Sequence, residues 1–275
     1  MTRVALLQMN GGIDPAANAR VLADGVAEAA EAGASVLFTP EMSNLIDRDR
    51  DRAARAIVGE GDDAVLLAAR RAAAEHGLWV HLGSVALRLA DGRFANRGFV
   101  IDDTGAIRAR YDKLHLFDVD LAGGERWRES AVYAAGEAAV AADTPAGRLG
   151  LSICYDLRFP ALFQALSGAG ATLLAVPSAF TRPTGAAHWH LLLRARAVEN
   201  AAFVIAAAQT GMHEDGRETF GHSLVVDPWG EVLLDMGAEP GVGVAELDAR
   251  RIADVRARLP VLAHRRAVPP VAVAR

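Results

Sequence analysis

Short apolar runs with strand character alternate along this chain with alanine-rich stretches of helical character. Arg3–Met9 and Ser35–Thr39 are typical of buried strands. Between them, Asp14 and Pro15 predict the start of a helix, and Gly33 predicts its end. Strands that alternate with helices in this way indicate sheets covered by helical layers, so the pattern favours an α/β or mixed α+β fold.

The rest of the first half continues the alternation. The sequence predicts a second helix over Asp62–His76, closed by Gly77, and strands over Trp79–Ala86, Phe94–Ile101 and Ile107–Tyr111. From Lys113 to Gly136 neither a helical nor a strand period persists. This segment is predicted to be a long irregular loop, and such loops are usually functional.

The second half repeats the order of the first. The strand predicted over Arg148–Cys154 corresponds to Arg3–Met9, and AGATLLAVPS, which ends at Ser178, resembles AGASVLFTPE, which ends at Glu41. VVDPWGEV then repeats the turn chemistry of VIDDTGAI. Chance recurrence of turn residues could explain the similar hairpins, but it explains the shared order of all three features less easily. We therefore expect two similar αββ halves that face each other across one core.

Two further helices are predicted in this half, over Pro160–Ser167 and Ala187–Asn200. No low-complexity linker separates the halves, so residues 1–275 are expected to form a single domain. The last residues, about 260–275, contain two adjacent prolines and are expected to form an extended tail.

Composition excludes several classes of function. The formal net charge of −5 leaves no basic surplus, which argues against a nucleic-acid or anionic-membrane partner. A single cysteine, Cys154, rules out an intrachain disulfide and a cysteine-cluster metal site. The His188–His190 pair lacks further ligands at metal-site spacing, so no metal and no cofactor are expected. With no stretch of about 18 apolar residues and no secretory signal pattern, the expected location is cytoplasmic.

Four side chains are candidates for chemistry. Free cysteines are commonly core residues, but Cys154 lies where an apolar strand meets a polar segment, as the nucleophile of a nucleophile elbow does. Glu41 directly follows a buried strand, Lys113 opens the irregular segment, and Glu129 lies within that segment. Taken singly, these three could be a turn acid, a loop lysine and a surface acid. A thiol redox role would need a resolving cysteine that the sequence lacks.

Taken together, three segments resemble the signatures of the nitrilase superfamily of carbon–nitrogen hydrolases: FTPEM with Glu41, YDKLHLFDVD with Lys113 and GLSICYDLRFP with Cys154. The resemblance covers nearly the whole chain, including HWHLLLRARAVEN, GHSLVVDPWGE and LPVLAHRR. It implies a four-layer αββα sandwich and a Glu–Lys–Cys triad. By position, Glu41 is then the general base, Lys113 the electrostatic stabiliser and Cys154 the nucleophile. Glu129 matches the second glutamate that the family places beside the triad.

Within the superfamily the chain looks most like the Nit branch, which includes amidases of deaminated glutathione and ω-amidases of 2-oxoglutaramate. The resemblance implies a thiol amidase for a small 2-oxo-acid amide, with deaminated glutathione favoured and 2-oxoglutaramate as the alternative. A catalytically silent scaffold is the non-enzyme alternative. Because these substrates carry a carboxylate, Arg182, in the loop after LLAVPS, is the candidate contact, with Thr184 and Tyr155 nearby. The resemblance and the tail also predict a homodimer or higher homo-oligomer.

Overall fold

The computed structural model of the protein describes residues 1–120 and 126–274. The helices are α1 (Pro15–Glu31), α2 (Arg50–Ala56), α3 (Ala64–His76), α4 (Pro160–Gly168), α5 (Arg182–Asn200) and α6 (Ala249–Arg258), with 3-10 turns at Glu129–Ala131 and Cys154–Arg158. The strands are β1 (Thr2–Gln8), β2 (Val36–Phe38), β3 (Trp79–Arg88), β4 (Phe94–Ile101), β5 (Ile107–Asp112), β6 (Asp118–Asp120), β7 (Arg126–Arg128), β8 (Tyr133–Ala134), β9 (Ala141–Thr144), β10 (Gly147–Gly150), β11 (Leu173–Ala175), β12 (Phe203–Ala206), β13 (Thr210–Met212), β14 (Glu218–Phe220), β15 (Leu224–Val226), β16 (Val232–Asp235) and β17 (Gly241–Leu247).

Two sheets with the same topology form the centre of the molecule. The first has the order β17-β1-β2-β3-β4-β5, with β8 beside β4, and the second has the order β9-β10-β11-β12-β15-β16. In each sheet three parallel strands lie between one antiparallel edge strand and an antiparallel hairpin. Helices connect the parallel strands at equivalent places: α1 and α3 in the first sheet, α4 and α5 in the second. The predicted repetition of the two halves is therefore confirmed.

The alternation of side chains along β1 shows how the layers pack. Val4 and Leu6 belong to a core that includes residues of the second sheet, whereas Ala5 and Leu7 belong to the core that includes α1 and α3. On the second sheet, α4 approaches so closely that a Cβ added at Gly150 would lie 2.9 Å from a carbon of Leu166. Helices thus cover the outer face of each sheet. This is the α+β, four-layer αββα sandwich that the sequence predicts.

Local signals placed several element ends correctly. The Asp14 carboxylate caps α1 by accepting a hydrogen bond from the N–H of Ala16 at 2.9 Å. Gly77 ends α3 with φ of 60°, a left-handed conformation that glycine adopts without steric cost. Strand β4 has the bounds that the sequence predicts.

The start of α5 differs from the prediction. The helix begins at Arg182 rather than Ala187, because Thr181 is extended and Pro183 fits the first turn of a helix. The expectation that Arg182 lies in a loop is therefore wrong.

Strand β10 is shorter than the predicted strand Arg148–Cys154. It ends at Gly150, and the N–H of Ile153 donates at 2.9 Å to the carboxylate of Asp156 instead of to a neighbouring strand. Cys154 consequently begins a 3-10 turn and does not end a strand.

The segment from Lys113 to Gly136 is not the structureless loop that its aperiodic sequence predicts. It contains the hairpin β6–β7, a 3-10 turn and β8. These elements are too short to show a hydrophobic period in the sequence. Residues 121–125 of this predicted loop lie outside the described part of the chain.

The described part of the predicted tail, residues 260–274, contains no helix or strand, and residues 261–264 form a turn. Arg265 attaches its start to the end of α5 by donating to Asn200 Oδ1 at 2.7 Å. Beyond this point Val268, Val271 and Val273 are exposed. Residue 275 lies outside the described residues. In the parts of the chain that the structure describes, no helix has the length and apolarity needed to cross a membrane.

Candidate active site

Glu41 lies just beyond the end of β2 and is 5% exposed. Its Oε1 accepts hydrogen bonds from Lys113 Nζ at 2.8 Å and from Asn96 Nδ2 at 3.0 Å. Its Oε2 accepts a hydrogen bond from the N–H of Ala179 at 2.9 Å. Because these donors replace water around the buried carboxylate, the ionised form is stabilised.

Lys113 follows β5 and places its ammonium group between two carboxylates. Its Nζ lies 2.8 Å from Glu41 Oε1 and 2.9 Å from Glu129 Oε2, and the residue is 2% exposed. Glu129 begins a 3-10 turn and is held by the N–H of Phe117, which donates to Oε2 at 2.6 Å. The structure therefore brings together Glu41, Lys113 and Glu129 from three distant segments, as the sequence predicts.

The buried charges set the protonation states. Burial raises the pKa of Glu41, but the attraction of Lys113 and the hydrogen bonds to the carboxylate outweigh it, so this pKa is lowered overall. Burial lowers the pKa of Lys113, but the charges of Glu129 and Glu41 raise it well above its usual value. Burial, followed by the charge of Glu41, raises the pKa of the Cys154 thiol well above its usual value. At neutral pH the site thus holds an ionised Glu41, a charged Lys113 and a neutral thiol.

Cys154 occupies a sharp turn between β10 and the following 3-10 turn. Its φ is 48°, a left-handed conformation that residues with a Cβ adopt rarely. Its N–H donates to the carbonyl of Pro177 at 2.9 Å, which ties the turn to the segment after β11. The thiol lies close enough to Glu41 for each group to shift the pKa of the other. A strained residue that presents its side chain beside a base resembles a nucleophile elbow.

Asp156 fixes this turn, and sequence reasoning did not identify it. The residue is fully buried, and its Oδ2 accepts hydrogen bonds from the N–H of Ile153 at 2.9 Å and from the hydroxyl of Tyr111 at 2.7 Å. Its Oδ1 accepts from the N–H of His115 at 3.0 Å. The sequence signal is weak: Asp156 lies among apolar residues and one arginine in CYDLRF, and Asn96 has a similar setting in FANRGFVI.

The four predicted catalytic side chains line a cavity of about 440 Å³, and Tyr155 and Thr184 line it with them. Arg182 instead lines a neighbouring depression, where its 66% exposed side chain forms an ion pair with Glu218. The position of Arg182 therefore does not support the predicted contact with a substrate. Another arginine that sequence reasoning missed, Arg217, does line the cavity.

The two histidines of the HxH pattern have different partners. His188 Nδ1 lies 3.3 Å from Arg158 Nη2, whereas His190 Nε2 lies 2.9 Å from Asp235 Oδ2. His222 Nδ1 lies 2.8 Å from the other oxygen of Asp235. The potential ligand atoms of these last three residues lie within 4.8 Å of one another. Carboxylate–imidazole hydrogen bonds account for the grouping, and the expected absence of a metal stays a prediction.

Replacing Glu129 by glutamine is expected to lower kcat by about 10- to 100-fold. The variant keeps the shape of the side chain but removes the charge that most strongly raises the pKa of Lys113. One charge-assisted hydrogen bond is worth about 1.5–3 kcal/mol, which corresponds to this change in rate. Steady-state kinetics on an amide substrate measures the effect, with the exposed Glu137→Gln as the matched control. A Glu129→Gln variant at the wild-type rate would show that the charge of Glu129 is not needed.

Three kinds of comparison with known proteins agree. The profile of the carbon-nitrogen hydrolase family matches residues 3–257. Proteins named deaminated glutathione amidase are 38% identical in Yersinia enterocolitica, over 96% of this chain and 93% of the relative, and 40% identical in Homo sapiens, over 96% and 82%. The crystal structure of Saccharomyces cerevisiae Nit3, a member of branch 10 of the nitrilase superfamily, matches with a TM-score of 0.85 at 27% identity over 94% of both chains.

The fold and the site define a class of protein. A neutral thiol, an ionised carboxylate and a lysine ammonium group that share one cavity are the groups with which a thiol hydrolase cleaves an acyl bond. In an αββα sandwich, that class is the nitrilase-type hydrolase. The chain belongs to the carbon-nitrogen hydrolase family, as the match over residues 3–257 shows. It is a hydrolase of carbon–nitrogen bonds other than peptide bonds, and the resemblance drawn from its sequence is confirmed.

Proposed function

We propose that this enzyme hydrolyses the amide bond of deaminated glutathione through a thioester on Cys154. The observation that carries the proposal is one cavity lined by a buried Glu41–Lys113 pair and by a cysteine held in a strained turn. The relatives named deaminated glutathione amidase support the choice of substrate. No cofactor enters the proposed reaction.

The reaction proceeds in two halves. Glu41 accepts the proton of the Cys154 thiol as the sulfur attacks the amide carbon, and it returns that proton to the leaving nitrogen as the carbon–nitrogen bond breaks. Lys113 and the backbone N–H of Tyr155, near the start of the 3-10 turn, donate to the oxyanion of each tetrahedral intermediate. Water, deprotonated by Glu41, then attacks the thioester, and the thiol recovers the proton as the acid leaves.

The choice between the two candidate substrates rests on the leaving group. Deaminated glutathione and 2-oxoglutaramate share a 2-oxo-acid acyl part, but the first releases a dipeptide and the second releases ammonia. A comparison of kcat/KM for deaminated glutathione, 2-oxoglutaramate and a simple nitrile tests the proposal. We expect the highest value for deaminated glutathione and the lowest for the nitrile. A clear preference for 2-oxoglutaramate would make the enzyme an ω-amidase and would leave the roles of the three catalytic groups unchanged.

The same assay addresses the alternatives to an amidase. Alkylation of Cys154 would abolish turnover by a thiol amidase. A catalytically silent scaffold would show no turnover even before alkylation. The chain offers no second cysteine for thiol redox chemistry.

We also propose that residues 1–275 form one domain and that the enzyme is a cytoplasmic homodimer or higher oligomer without nucleic-acid or membrane partners. Leu191 and Val198 lie seven residues apart on α5 and are both exposed, as are the valines of the tail. Apolar side chains on one face of a helix are typical of a surface that another protein covers. Light scattering at micromolar concentration distinguishes such an oligomer from a 29.0 kDa monomer.

A further inference from the structure

Arg217 is held rigidly at the wall of the cavity that contains the thiol. It precedes β14 in the hairpin β13–β14. Its carbonyl accepts the N–H of His213 at 2.8 Å, and its own N–H donates to Asp215 at 2.9 Å. The His213 ring contacts the carbonyl of Gly11 at 2.8 Å, which attaches the hairpin to the segment after β1. The backbone from which the Arg217 side chain extends is therefore fixed in the cavity that contains the catalytic groups.

Two donors beside this wall lack acceptors. The Arg217 side chain is only 15% exposed, and its guanidinium lies 4.7 Å from the ring centre of Trp127. Within the described residues, Arg217 Nε and Trp127 Nε1 are both buried without a hydrogen-bond partner. Both nitrogens are enclosed by protein, so a ligand in the cavity would meet the exposed part of the Arg217 guanidinium. A buried donor without an acceptor costs about 1–3 kcal/mol, so the protein itself leaves this guanidinium incompletely satisfied.

The charge of Arg217 is only partly compensated. Asp215 Oδ2 lies 3.4 Å from its Nη2, but Asp215 is not among the residues that line the cavity. Burial, followed by the repulsion of Arg48, lowers the pKa of Arg217. Arg128 differs, because it is paired with Asp120 at 2.9 Å. Arg217 is therefore a cation in the cavity wall with donors available to an anion.

We infer that Arg217 binds the carboxylate on the acyl part of the substrate and thereby distinguishes amides that carry this carboxylate from amides that lack it. This inference rests on the proposed reaction at Cys154. The acyl part stays on the enzyme as a thioester while the amine departs. The acyl part therefore lies against the buried wall of the cavity, and the leaving group lies toward the cavity's opening. Arg217 lies in that buried wall, close enough to Glu41 for their charges to interact. A guanidinium at one end and Cys154 at the other would align the amide carbon with the sulfur.

The test compares Arg217→Gln with wild type on three amides: deaminated glutathione, 2-oxoglutaramate and 4-oxopentanamide. The last has a methyl group where 2-oxoglutaramate has its carboxylate. We expect kcat/KM to fall by about 10- to 100-fold for both carboxylated amides, mainly through KM, and to change by less than about 2-fold for 4-oxopentanamide. Arg182→Gln, which removes an arginine outside the cavity, is the matched control and should change none of the three values. Arg217→Lys keeps a positive charge but lacks the planar, two-pronged guanidinium, so we expect an intermediate loss of kcat/KM. If Arg217→Gln does not fold, Arg217→Lys takes its place in the test.

Three outcomes would overturn the inference. A loss confined to deaminated glutathione would place the contact on the carboxylate of the leaving dipeptide. An equal loss on all three amides would show that Arg217 only maintains the shape of the site. No loss on any amide would show that it binds nothing in the reaction.

Binding of 2-oxoglutarate, measured by calorimetry on the Cys154→Ala variant, separates this inference from the proposed function because it needs no turnover. We expect the second change Arg217→Gln to weaken binding of 2-oxoglutarate by about 10-fold or more and to leave that of 4-oxopentanoate unchanged. If wild type hydrolysed none of the amides but 2-oxoglutarate still bound through Arg217, the proposed reaction would fail and the carboxylate site would stand. Binding of 2-oxoglutarate that is independent of Arg217 would overturn the site.

Discussion

Cys154→Ala is expected to lower kcat by at least about 10⁴-fold, the largest effect of any single substitution in this enzyme. Removal of a covalent nucleophile leaves only substrate binding and oxyanion stabilisation, and losses of this size are typical. The fold should survive, because alanine has the same steric cost at the φ of 48° as cysteine has. Steady-state kinetics and circular dichroism together measure the two effects. Substantial turnover by the alanine variant would contradict a covalent mechanism.

Mass spectrometry gives an independent readout of the same step. Wild-type enzyme quenched during turnover should carry the acyl group of the substrate on Cys154, and since the chain has one cysteine the assignment is unambiguous. Cys154→Ser should show at most a slow ester, because a hydroxyl is a weaker nucleophile than a thiol. An enzyme that turns over substrate without ever carrying the acyl group would favour direct attack by water.

The pKa shifts explain why Glu41 acts as a base toward a protonated thiol. The pKa of Cys154 is raised and that of Glu41 is lowered, so the neutral thiol and the carboxylate coexist at neutral pH. Proton transfer then accompanies attack and does not precede it. The basic form of Glu41 is lost only as the pH falls through its lowered pKa, so activity persists to mildly acidic pH.

Local sequence signals predict most of the architecture. The Asp14 cap, the Gly77 ending and the bounds of β4 follow from one or a few residues each, and the repeated order of elements predicts the two equivalent sheets. Local signals failed where a side chain replaces a backbone partner. The carboxylate of Asp156 takes the N–H of Ile153, and this contact shortens β10 in a way that strand propensity does not encode.

Glu41, Lys113 and Cys154 were predictable because each lies at the end of a predicted strand in a recognisable motif, whereas Glu129 was predicted only through the resemblance. The place of Arg217 in the cavity wall was not predictable, because many arginines lie in polar segments and only tertiary contacts decide where each one points. Arg182 lies near the expected segment but starts a helix and pairs with Glu218 outside the cavity. Arg217 reaches the cavity through the contact of His213 with Gly11, which joins segments about 200 residues apart.

Lys113→Met is expected to lower kcat by about 10³-fold or more. It removes a donor to the oxyanion, an effect worth about 10²–10³-fold by itself. It also removes the attraction that lowers the pKa of Glu41, so burial then raises that pKa and less of the base is ionised at neutral pH. Kinetics across a range of pH measures both effects. A kcat close to that of the wild type would exclude Lys113 from the chemistry.

The same variant should also be less stable, by about 3–5 kcal/mol at neutral pH, because it leaves Glu41 and Glu129 buried without their shared cation. In this variant burial raises the folded-state pKa of Glu41 above the unfolded one, so this carboxyl binds a proton more readily in the folded protein. The deficit should therefore shrink as the pH falls through the raised pKa of Glu41. Adding Glu129→Gln to Lys113→Met should recover part of the thermal stability without restoring turnover, because it removes the repulsion but supplies no donor. Recovery of activity in this double variant would show that Lys113 serves only to neutralise Glu129.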